Sequence, residues 1–348
     1  MKIGIVGGGN ISETHARAAT AVPGVQVVAV HGTNRERTAK LAEPYAAAVY
    51  DDFERFLSHR PMDIVAIGSP SGLHAEQGIA AARRGLHVLV EKPIDITTEK
   101  ADALIAAADA AGVKLGVFFQ DRLHPAVRDI KGAIESGALG SPVIISGRVK
   151  WYRPPEYYNT SRWRGTLALD GGGALINQAI HTVDLLLWLF GPVVRVYGST
   201  ATRVHKIEAE DTAVAALEFA SGAVGTIEAT TSAYPGYARR LELTGSEGTI
   251  VLEHDRLVRM DLRAASAPGA AAQGGDRNES AASPVVSDAS AHQRVIEDFI
   301  RAIETNRTPS CDGREGRRSV ELVQAIYASA RAHAPITLPL ARQAAGQG

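Results

Sequence analysis

The first third of the chain alternates short apolar runs, rich in β-branched residues, with longer alanine-rich segments. The runs are KIGIVG, QVVAV, DIVAIG, HVLV and KLGVFF, and the segments between them include EQGIAAARRG and KADALIAAADAAG. Buried strands that alternate with helices of about ten residues are typical of a parallel sheet covered by helices on both faces. The pattern therefore predicts a doubly wound α/β domain over residues 1–122.

In the second half, longer segments of alternating apolar and polar residues follow one another. They include VVRVYGSTATRV, DTAVAALEF, AVGTIEATTSAY and RRLELTG, with tight turns such as ASGAVG between them. A period of two predicts a large open, mostly antiparallel sheet in an α+β domain over residues 123–340. We expect the Ala/Ser/Gly-rich stretch 263–290 to be a flexible loop, and the two helical segments after it to pack back on the sheet or the first domain.

Few helical segments remain in this half to cover the second face of the predicted sheet. An uncovered sheet face with apolar side chains is stabilised when another copy of the chain buries it. We therefore expect a homodimer or a homotetramer.

The balance of charge narrows the range of partners. The chain has 37 Lys and Arg against 38 Asp and Glu, a formal net charge of -1, which gives no general attraction to nucleic acid or to an anionic membrane. The longest apolar run, LLLWLFG, is too short to span a bilayer. The opening MKIGIVGGGN lacks the pattern of a secretory leader, and Cys311 is the only cysteine, so we expect a cytoplasmic protein.

A glycine-rich turn, GIVGGGNISETH, follows the first predicted strand and opens a helix. Gly7, Gly9 and Ser12 occupy the positions of the G-x-G-x-x-G/A fingerprint. Glycines here let backbone N–H groups approach a pyrophosphate, whose charge the helix N-terminus favours. The motif predicts a Rossmann domain that binds a dinucleotide through Gly7, Gly9, Asn10 and Ile11, whereas a glycine fingerprint without this context would indicate only a turn.

The end of the second strand, VVAVHGTNRER, bears on which dinucleotide is bound. Domains that prefer NAD usually place an acidic residue there to bind the ribose 2′-hydroxyl, and this chain has Gly32 instead. Thr33, Asn34 and Arg35 can donate hydrogen bonds to a 2′-phosphate, so the sequence favours NADP over NAD. In the alternative, Arg35 and Arg37 only begin a solvated helix, and the site accepts either cofactor.

Lys92, in the stretch VLVEKPIDIT, follows the fifth predicted strand, at the sheet edge where open α/β folds bind ligands. Pro93 holds the preceding Lys92 in an extended conformation, which an ordinary solvated turn does not require. Lys92 is therefore a candidate for an active site, although an exposed lysine on a loop is usually just solvated.

A second candidate lies in the helical segment LDGGGALINQAIHTVDLLLWLFG, residues 169–191. At about 100° per residue, Asn177, His181, Asp184 and Trp188 fall within an arc of about 60° on an otherwise apolar helix. Aligned polar residues favour function, whereas a single histidine on such a helix is more often a core residue.

Seven motifs together resemble the Gfo/Idh/MocA family, the group of glucose-fructose oxidoreductase and inositol dehydrogenase. They occur in family order over nearly the whole chain: GIVGGGNISETH, SPSGLH, EKP, FFQDRLHPAV, the WR of Trp163 and Arg164, GGGALINQAIHTVDLL and EDFIRAIETNRTP. The resemblance implies an NAD(P)-dependent oxidoreductase that acts on CH–OH groups.

The resemblance also implies roles for individual residues. Lys92 matches the active-site lysine of the EKP motif, and its bond to Pro93 is expected to be cis. His181 matches the catalytic histidine. The family commonly has Asp four residues earlier, where this chain has Asn177, so an Asp–His pairing does not carry over and Asn177 is expected to bind a substrate hydroxyl. The Asn-Gln variant of this helix resembles the branch that oxidises C3 hydroxyls of pyranosides, including nucleotide-sugar acids.

Further site residues follow from the same motifs. Arginines and aromatic residues interleave in RVKWYRPPEYYNTSRWR, which suits a sugar with an anionic group, although part of the stretch can be a strand edge or serve the cofactor. The predicted cofactor contacts are Gly7, Gly9, Asn10, Ile11, Thr33, Asn34, Arg35, Ser69, Pro70, His74, Glu91, Lys92, Trp163 and Arg164. The predicted substrate contacts are Lys92, Arg122, Tyr152, Asn177, His181 and Tyr237.

Together these features predict hydride transfer between a nicotinamide cofactor and a secondary hydroxyl or keto group of a pyranose sugar. His181 acts as acid and base, Lys92 orients the hydroxyl, and no cluster with metal-ligand spacing is present. The alternatives are a nucleotide-sugar acid 3-dehydrogenase, an inositol dehydrogenase, and a non-catalytic NAD(P)-binding regulator of sugar metabolism. The presence of both Lys92 and His181 argues against the regulator, which needs no base.

Overall fold

The computed structural model of the protein describes residues 1–263 and 288–340. These form two compact units. The first comprises the described residues of Met1–His124, Thr166–Gly171 and Ser283–Arg317, and the second comprises those of Pro125–Gly165, Gly172–Ala282 and Arg318–Gly348. The predicted flexible loop, 263–290, lies outside the described residues except at its two ends.

The first unit contains a six-stranded sheet in the order β3-β2-β1-β4-β5-β6, and all its paired strands are parallel. This order confirms the predicted Rossmann fold. The strands are β1 (Lys2–Val6), β2 (Gln26–His31), β3 (Ala48–Tyr50), β4 (Ile64–Ile67), β5 (His87–Val90) and β6 (Leu115–Val117). The helices between them are α1 (Asn10–Thr20), α2 (Arg35–Ala42), α3 (Phe53–Leu57), α4 (His74–Arg83) and α5 (Thr98–Ala111).

The second unit contains an eight-stranded sheet in the order β13-β12-β11-β7-β10-β9-β8-β14. Its strands are β7 (Pro142–Lys150), β8 (Val193–Ala201), β9 (Thr212–Phe219), β10 (Val224–Thr230), β11 (Arg240–Gly245), β12 (Gly248–Glu253), β13 (Arg256–Leu262) and β14 (Ile336–Thr337). Neighbouring strands are antiparallel except β7 and β10, which are parallel. The sheet is thus mixed and mostly antiparallel, as predicted.

The two faces of the second sheet differ. The α-helices whose described residues all lie within this unit are α6 (Pro125–Glu135), α7 (Pro155–Asn159) and α8 (Ile180–Phe190). Helix α8 lies so close to β7 that a Cβ atom at Gly147 would come within 2.6 Å of the Thr182 side chain. On the other face, Ile144, Val214 and Val224 are each 44–49% exposed.

The glycine-rich segment before α8 departs from the predicted single helix. It forms a π-helix, Ala174–Gln178, and Ala179 then separates this element from α8. A π-helix has wider turns than an α-helix. The predicted arc assumed 100° per residue throughout, so the alignment of Asn177 with His181 and Asp184 does not extend across this break.

Two helices follow the undescribed segment. Helix α9 (Ser290–Glu304) belongs to the first unit, where Ile296 and Phe299 join Ile3, Ile5 and Leu89 in one buried cluster. Helix α10 (Gly313–Ala332) begins in the first unit and continues into the second. The described helices include none that is both long and apolar enough to cross a membrane.

Candidate functional site

The glycine loop between β1 and α1 is shaped as a dinucleotide site requires. Gly7 has φ +116°, which side chains rarely adopt, and a Cβ atom there would lie 2.7 Å from the Gly68 carbonyl oxygen. Gly9 precedes α1, and a Cβ atom there would meet nothing within 4 Å among the described residues. Open space therefore faces the N-terminal turn of α1, where backbone N–H groups can bind a pyrophosphate.

The loop after β2 is constrained by close packing. A Cβ atom at Gly32 would come within 2.5 Å of Thr38 Oγ1, so an acidic side chain there would require Thr38 to move. Asn34 accepts a hydrogen bond from the Arg37 N–H at 3.0 Å and caps α2. Arg35 is mostly exposed and lies 3.7 Å from Asp51. Two of the predicted donors to a 2′-phosphate, Asn34 and Arg35, thus have other contacts.

The loop after β4 is joined to the loop that carries Lys92. The buried His74 ring has Nδ1 2.8 Å from the Pro93 carbonyl oxygen and Nε2 2.9 Å from the Ser69 carbonyl oxygen. Pro70 follows Ser69 directly and therefore belongs to the loop that these hydrogen bonds hold. The His74 side chain, predicted to contact the cofactor, therefore links two loops.

Lys92 follows β5 and is half-buried, and its bond to Pro93 is cis, as predicted. The predicted segments 7–11, 33–35, 69–74 and 91–92 come after β1, β2, β4 and β5. These four strands are neighbours in a parallel sheet, so the segments meet at its carboxyl edge, the usual ligand-binding edge of such sheets. The first unit brings these predicted residues together.

Glu91, also predicted to contact the cofactor, turns its carboxylate into the protein. Its Oε1 atom lies 2.9 Å from His15 Nε2 and 3.5 Å from His292 Nε2, and all three side chains are buried. Any contact between Glu91 and a cofactor is therefore left to its backbone. No sequence pattern indicated a role for His15, although it ends the glycine motif, and none linked His292 on α9 to Glu91.

The His15, Glu91 and His292 side chains form the only group with metal-ligand chemistry among the residues that the structure describes. The 2.9 Å contact is a hydrogen-bond length, so we interpret the group as a hydrogen-bonded cluster. Burial opposes ionisation of Glu91, but hydrogen bonds from His15 and His292 hold the pKa of Glu91 well below its usual value. Burial lowers the pKa of His15, and its bond to Glu91 counters only part of that effect.

In the second unit, Glu210 anchors the start of the π-helix. Its carboxylate accepts hydrogen bonds from the N–H groups of Gly173 at 2.9 Å and Leu175 at 2.8 Å, and from the Tyr327 hydroxyl at 2.9 Å. A Cβ atom at Gly173 would overlap the Glu210 carbonyl oxygen, which explains the glycine. Burial raises the pKa of Glu210, partly offset by these donors. The element that carries Asn177 is thereby fixed at its first turn.

A polar network holds the Asn177 side chain. Gln178 Nε2 donates to Asn177 Oδ1 at 3.0 Å and to the Tyr157 hydroxyl at 2.9 Å, while Gln178 Oε1 accepts from Arg153 at 2.8 Å. The Arg164 guanidinium lies 4.2 Å from the centre of the Tyr157 ring. Arg153 is buried and orients Gln178, so the stretch 148–164 contributes to this network as well as to any ligand site.

The predicted polar stripe on α8 does not form a single functional face. Asp184 is buried and accepts a hydrogen bond from the Ser319 hydroxyl at 3.2 Å, so it packs α8 against α10. Trp188 packs with Lys131 of α6, whose Nζ atom is 5.3 Å from the ring centre. His181 is partly exposed in the first turn of α8.

The remaining predicted residues have varied surroundings. Arg122 is buried and ion-paired with Glu315 at 3.0 Å, and its role in substrate binding stays a prediction. Tyr152 packs edge-on against Tyr234 with ring centres 5.2 Å apart. Tyr237 is 58% exposed, and Trp163 lies beside Arg164 with 5.6 Å between ring centre and guanidinium. The roles assigned to Tyr152, Tyr237, Trp163 and Arg164 stay predictions.

A Rossmann sheet with this glycine loop, followed by a mixed sheet in a second unit, defines a class of two-domain nicotinamide-dependent oxidoreductases. Residues 1–119 match the family model of the oxidoreductase family with an NAD-binding Rossmann fold, and residues 127–251 match the GFO/IDH/MocA C-terminal domain. The chain belongs to the Gfo/Idh/MocA family, as its motifs predicted. It is an oxidoreductase with an NAD-binding Rossmann domain, of a family that includes sugar and polyol dehydrogenases.

Several relatives resemble the chain over most of its length. The WlbA dehydrogenase from Bordetella pertussis, solved with NADH and UDP-GlcNAcA, has a TM-score of 0.87 and 35% identity, covering 98% of this chain and 99% of that one. D-apiose dehydrogenase from Paraburkholderia graminis is 27% identical over 95% of this chain and 88% of the relative. Myo-inositol 2-dehydrogenase from Thermotoga maritima is 28% identical over 74% of this chain and 76% of the relative.

Proposed function

We propose that this protein transfers hydride between NAD(H) and a secondary hydroxyl of a pyranose, and that the pyranose belongs to a nucleotide-linked sugar acid. The observation that carries the proposal is the full-length likeness to a dehydrogenase solved with NADH and UDP-GlcNAcA. The sequence-based association of the Asn177–Gln178 pair with C3 oxidation supports C3 as the reacting carbon. A simple pyranose or glycoside remains within the same chemistry.

The proposed reaction requires few groups from the chain. A nicotinamide cofactor, which the loop of residues 7–11 would hold, would supply the acceptor for the hydride that leaves the carbon. His181 takes the proton of the hydroxyl, and the Lys92 ammonium donates a hydrogen bond to the same oxygen as negative charge develops on it. Asn177, held by Gln178, binds a neighbouring hydroxyl. In the reductive direction His181 returns the proton.

We also propose NAD(H) as the working cofactor, in contrast to the preference for NADP that the sequence favoured. The likeness to a structure that holds NADH supports this choice. The contacts of Asn34 with Arg37 and of Arg35 with Asp51 also weaken the case for a 2′-phosphate site. Comparing kcat/KM for NAD and NADP with one substrate tests the proposal, and a higher value for NADP would contradict it.

A substrate panel tests the function directly. We expect reduction of NAD, followed at the absorbance band of the reduced nicotinamide, with UDP-GlcNAcA. We expect kcat/KM for UDP-GlcNAc to be about tenfold to a hundredfold lower, because it lacks the carboxylate and so leaves a cationic partner without its charge-assisted hydrogen bond. Myo-inositol and D-apiose serve as controls without a nucleotide. Faster turnover of either control than of UDP-GlcNAcA would reject the proposed substrate class.

We further propose that a second copy of the chain covers the exposed face of the eight-stranded sheet. Val224 of β10 lies directly beside Ile144 of β7, and both are about half exposed. Replacing Val224 by glutamate is expected to convert the oligomer into a monomer in size-exclusion chromatography with light scattering, because each copy would bury an unpaired charge. Val204→Glu, at an exposed valine outside the sheet, is the control, and an unchanged mass for both variants would contradict the proposal.

A further inference from the structure

We propose that Glu91, held by His15 and His292, is a positioning residue that places a buried negative charge beside Lys92 and keeps this lysine cationic for its work. The inference rests on the proposed function of Lys92 and assigns a part in it to three residues that do not touch the substrate. None of the three has a role in the mechanism described above.

The backbone and the carboxylate of Glu91 are both fixed. Its N–H group donates to the Ile67 carbonyl oxygen at 2.9 Å, which continues the pairing of β5 with β4. One carboxylate oxygen, Oε2, accepts the N–H of Lys92 itself at 3.1 Å. The other, Oε1, faces the Nε2 atoms of His15 and His292. The carboxylate is therefore bonded to the backbone of the residue that it is proposed to serve.

The surroundings of the two histidines indicate which ring nitrogen carries the hydrogen. Each presents Nε2 to Glu91, and each Nδ1 atom is buried and has no hydrogen-bond partner among the described residues. A neutral imidazole protonated at Nε2 satisfies this arrangement, because its Nδ1 atom is then only an acceptor. An imidazolium would bury a second N–H group without an acceptor, which is unfavourable. Each ring therefore presents one N–H donor to the Glu91 carboxylate.

The Glu91 carboxylate thus lies beside the backbone of Lys92, among buried side chains. His15 stacks on Phe118 with ring centres 4.3 Å apart, and the His292 ring is 5.5 Å from the same phenyl group. Away from water the carboxylate acts on a neighbouring ammonium more strongly than at a surface. His74 is the other titratable group near His15, and its ring nitrogens face the Ser69 and Pro93 carbonyl oxygens.

Glutamine cannot replace Glu91 in this cluster. Three N–H groups point at the carboxylate, from His15, His292 and Lys92, and a carboxylate can accept all of them. The amide of glutamine has the same shape, but its NH₂ group would confront one of these donors, and it carries no charge. Glu91→Gln therefore removes the charge of the side chain while keeping its volume almost unchanged.

For Glu91→Gln we expect kcat to fall about a hundredfold through misplacement of Lys92. The alkaline limb of the pH–rate profile should also move to lower pH by about one unit or more, because the ammonium loses its neighbouring anion. NAD(H) affinity should stay within about threefold of the parent value. Glu321→Gln is the matched control, since Glu321 is 8% exposed and accepts the Leu340 N–H in the other unit. It should leave the profile in place.

A measurement without turnover provides a second readout. The rate at which a lysine-acylating reagent modifies Lys92, followed by mass spectrometry across pH, reports the fraction of neutral amine. In Glu91→Gln this rate should rise at lower pH than in the parent protein. The proposal is overturned if both the labelling curve and the pH–rate profile coincide with those of the parent.

His292→Leu provides a second test of the proposal in case Glu91→Gln does not fold. It keeps the charge and the bond to Lys92 but removes one donor, so Glu91 should become protonated at less acidic pH. A second, steeper loss of activity should then appear on the acidic side of the limb that His181 produces, and its absence would count against the proposal. If Lys92→Met retains full turnover, the proposed function of Lys92 fails. If Lys92→Met is inactive and neither the Glu91 nor the His292 profile moves, only the present inference fails.

Discussion

Lys92→Met is expected to lower kcat by about a hundredfold to a thousandfold, the cost of removing one preorganised donor from a developing oxyanion. The affinity for NAD(H) should change by less than about threefold, because the cofactor loop formed by residues 7–11 follows another strand, β1. Stopped-flow absorbance gives kcat, and titration of protein fluorescence with NADH gives the affinity.

Lys114→Met is the control for this experiment. Lys114 precedes β6, and its ammonium bonds the Asn306 side chain at an exposed position. We expect parent-like turnover from it. A Lys92→Met protein that is folded, binds NADH and retains more than about a third of the parent kcat would remove Lys92 from the mechanism.

The second large effect is expected at His181. His181→Asn should lower kcat by about 10² to 10⁴, because a positioned general base contributes that factor to proton transfer. Hydroxide can accept the proton in its place at high pH. The residual rate should therefore rise steadily with pH and lack the acid limb that titration of a histidine base produces.

His59→Asn provides the comparison, since the His59 ring bonds the Tyr50 hydroxyl in the first unit and touches none of the proposed site residues. It should keep both the rate and the shape of the profile. A His181→Asn enzyme that keeps its acid limb would assign that limb, and the base, to another group.

Local patterns predicted those parts of the fold that local sequence determines. Apolar runs separated by alanine-rich segments specify parallel strands and their helices, and glycine spacing specifies the turn before α1. The polar alternation of the second half predicted its strands but not the parallel pairing of β7 with β10, because those strands are far apart in the chain. Pairing over such distances depends on packing and not on period.

The residues of the candidate site also fall into two groups, those that local motifs predict and those whose surroundings depend on distant segments of the chain. Lys92, Gly7, Gly9 and the cis bond at Pro93 follow from motifs of a few residues. The π-helix that carries Asn177 could not be predicted, because a sequence with an ordinary helical period gives no sign of a wider turn. Glu210 supplies the acceptors that stabilise this turn, and it lies on a later segment of the chain. Glu315, the ion-pair partner of Arg122, lies 193 residues later in the chain, so no local pattern indicated this contact.

Helix α9 has a consequence for the order of events during synthesis. Val295, Ile296, Phe299 and Ile300 complete the core beneath β1 and α1, and His292 completes the cluster around Glu91. Domains near the N-terminus generally fold first as the chain leaves the ribosome. Here the Rossmann core stays open until strands β7 to β13 of the second sheet have been synthesised, because α9 follows them in the chain. A nascent chain therefore exposes apolar surface for most of its elongation, a period in which chaperones have access to it.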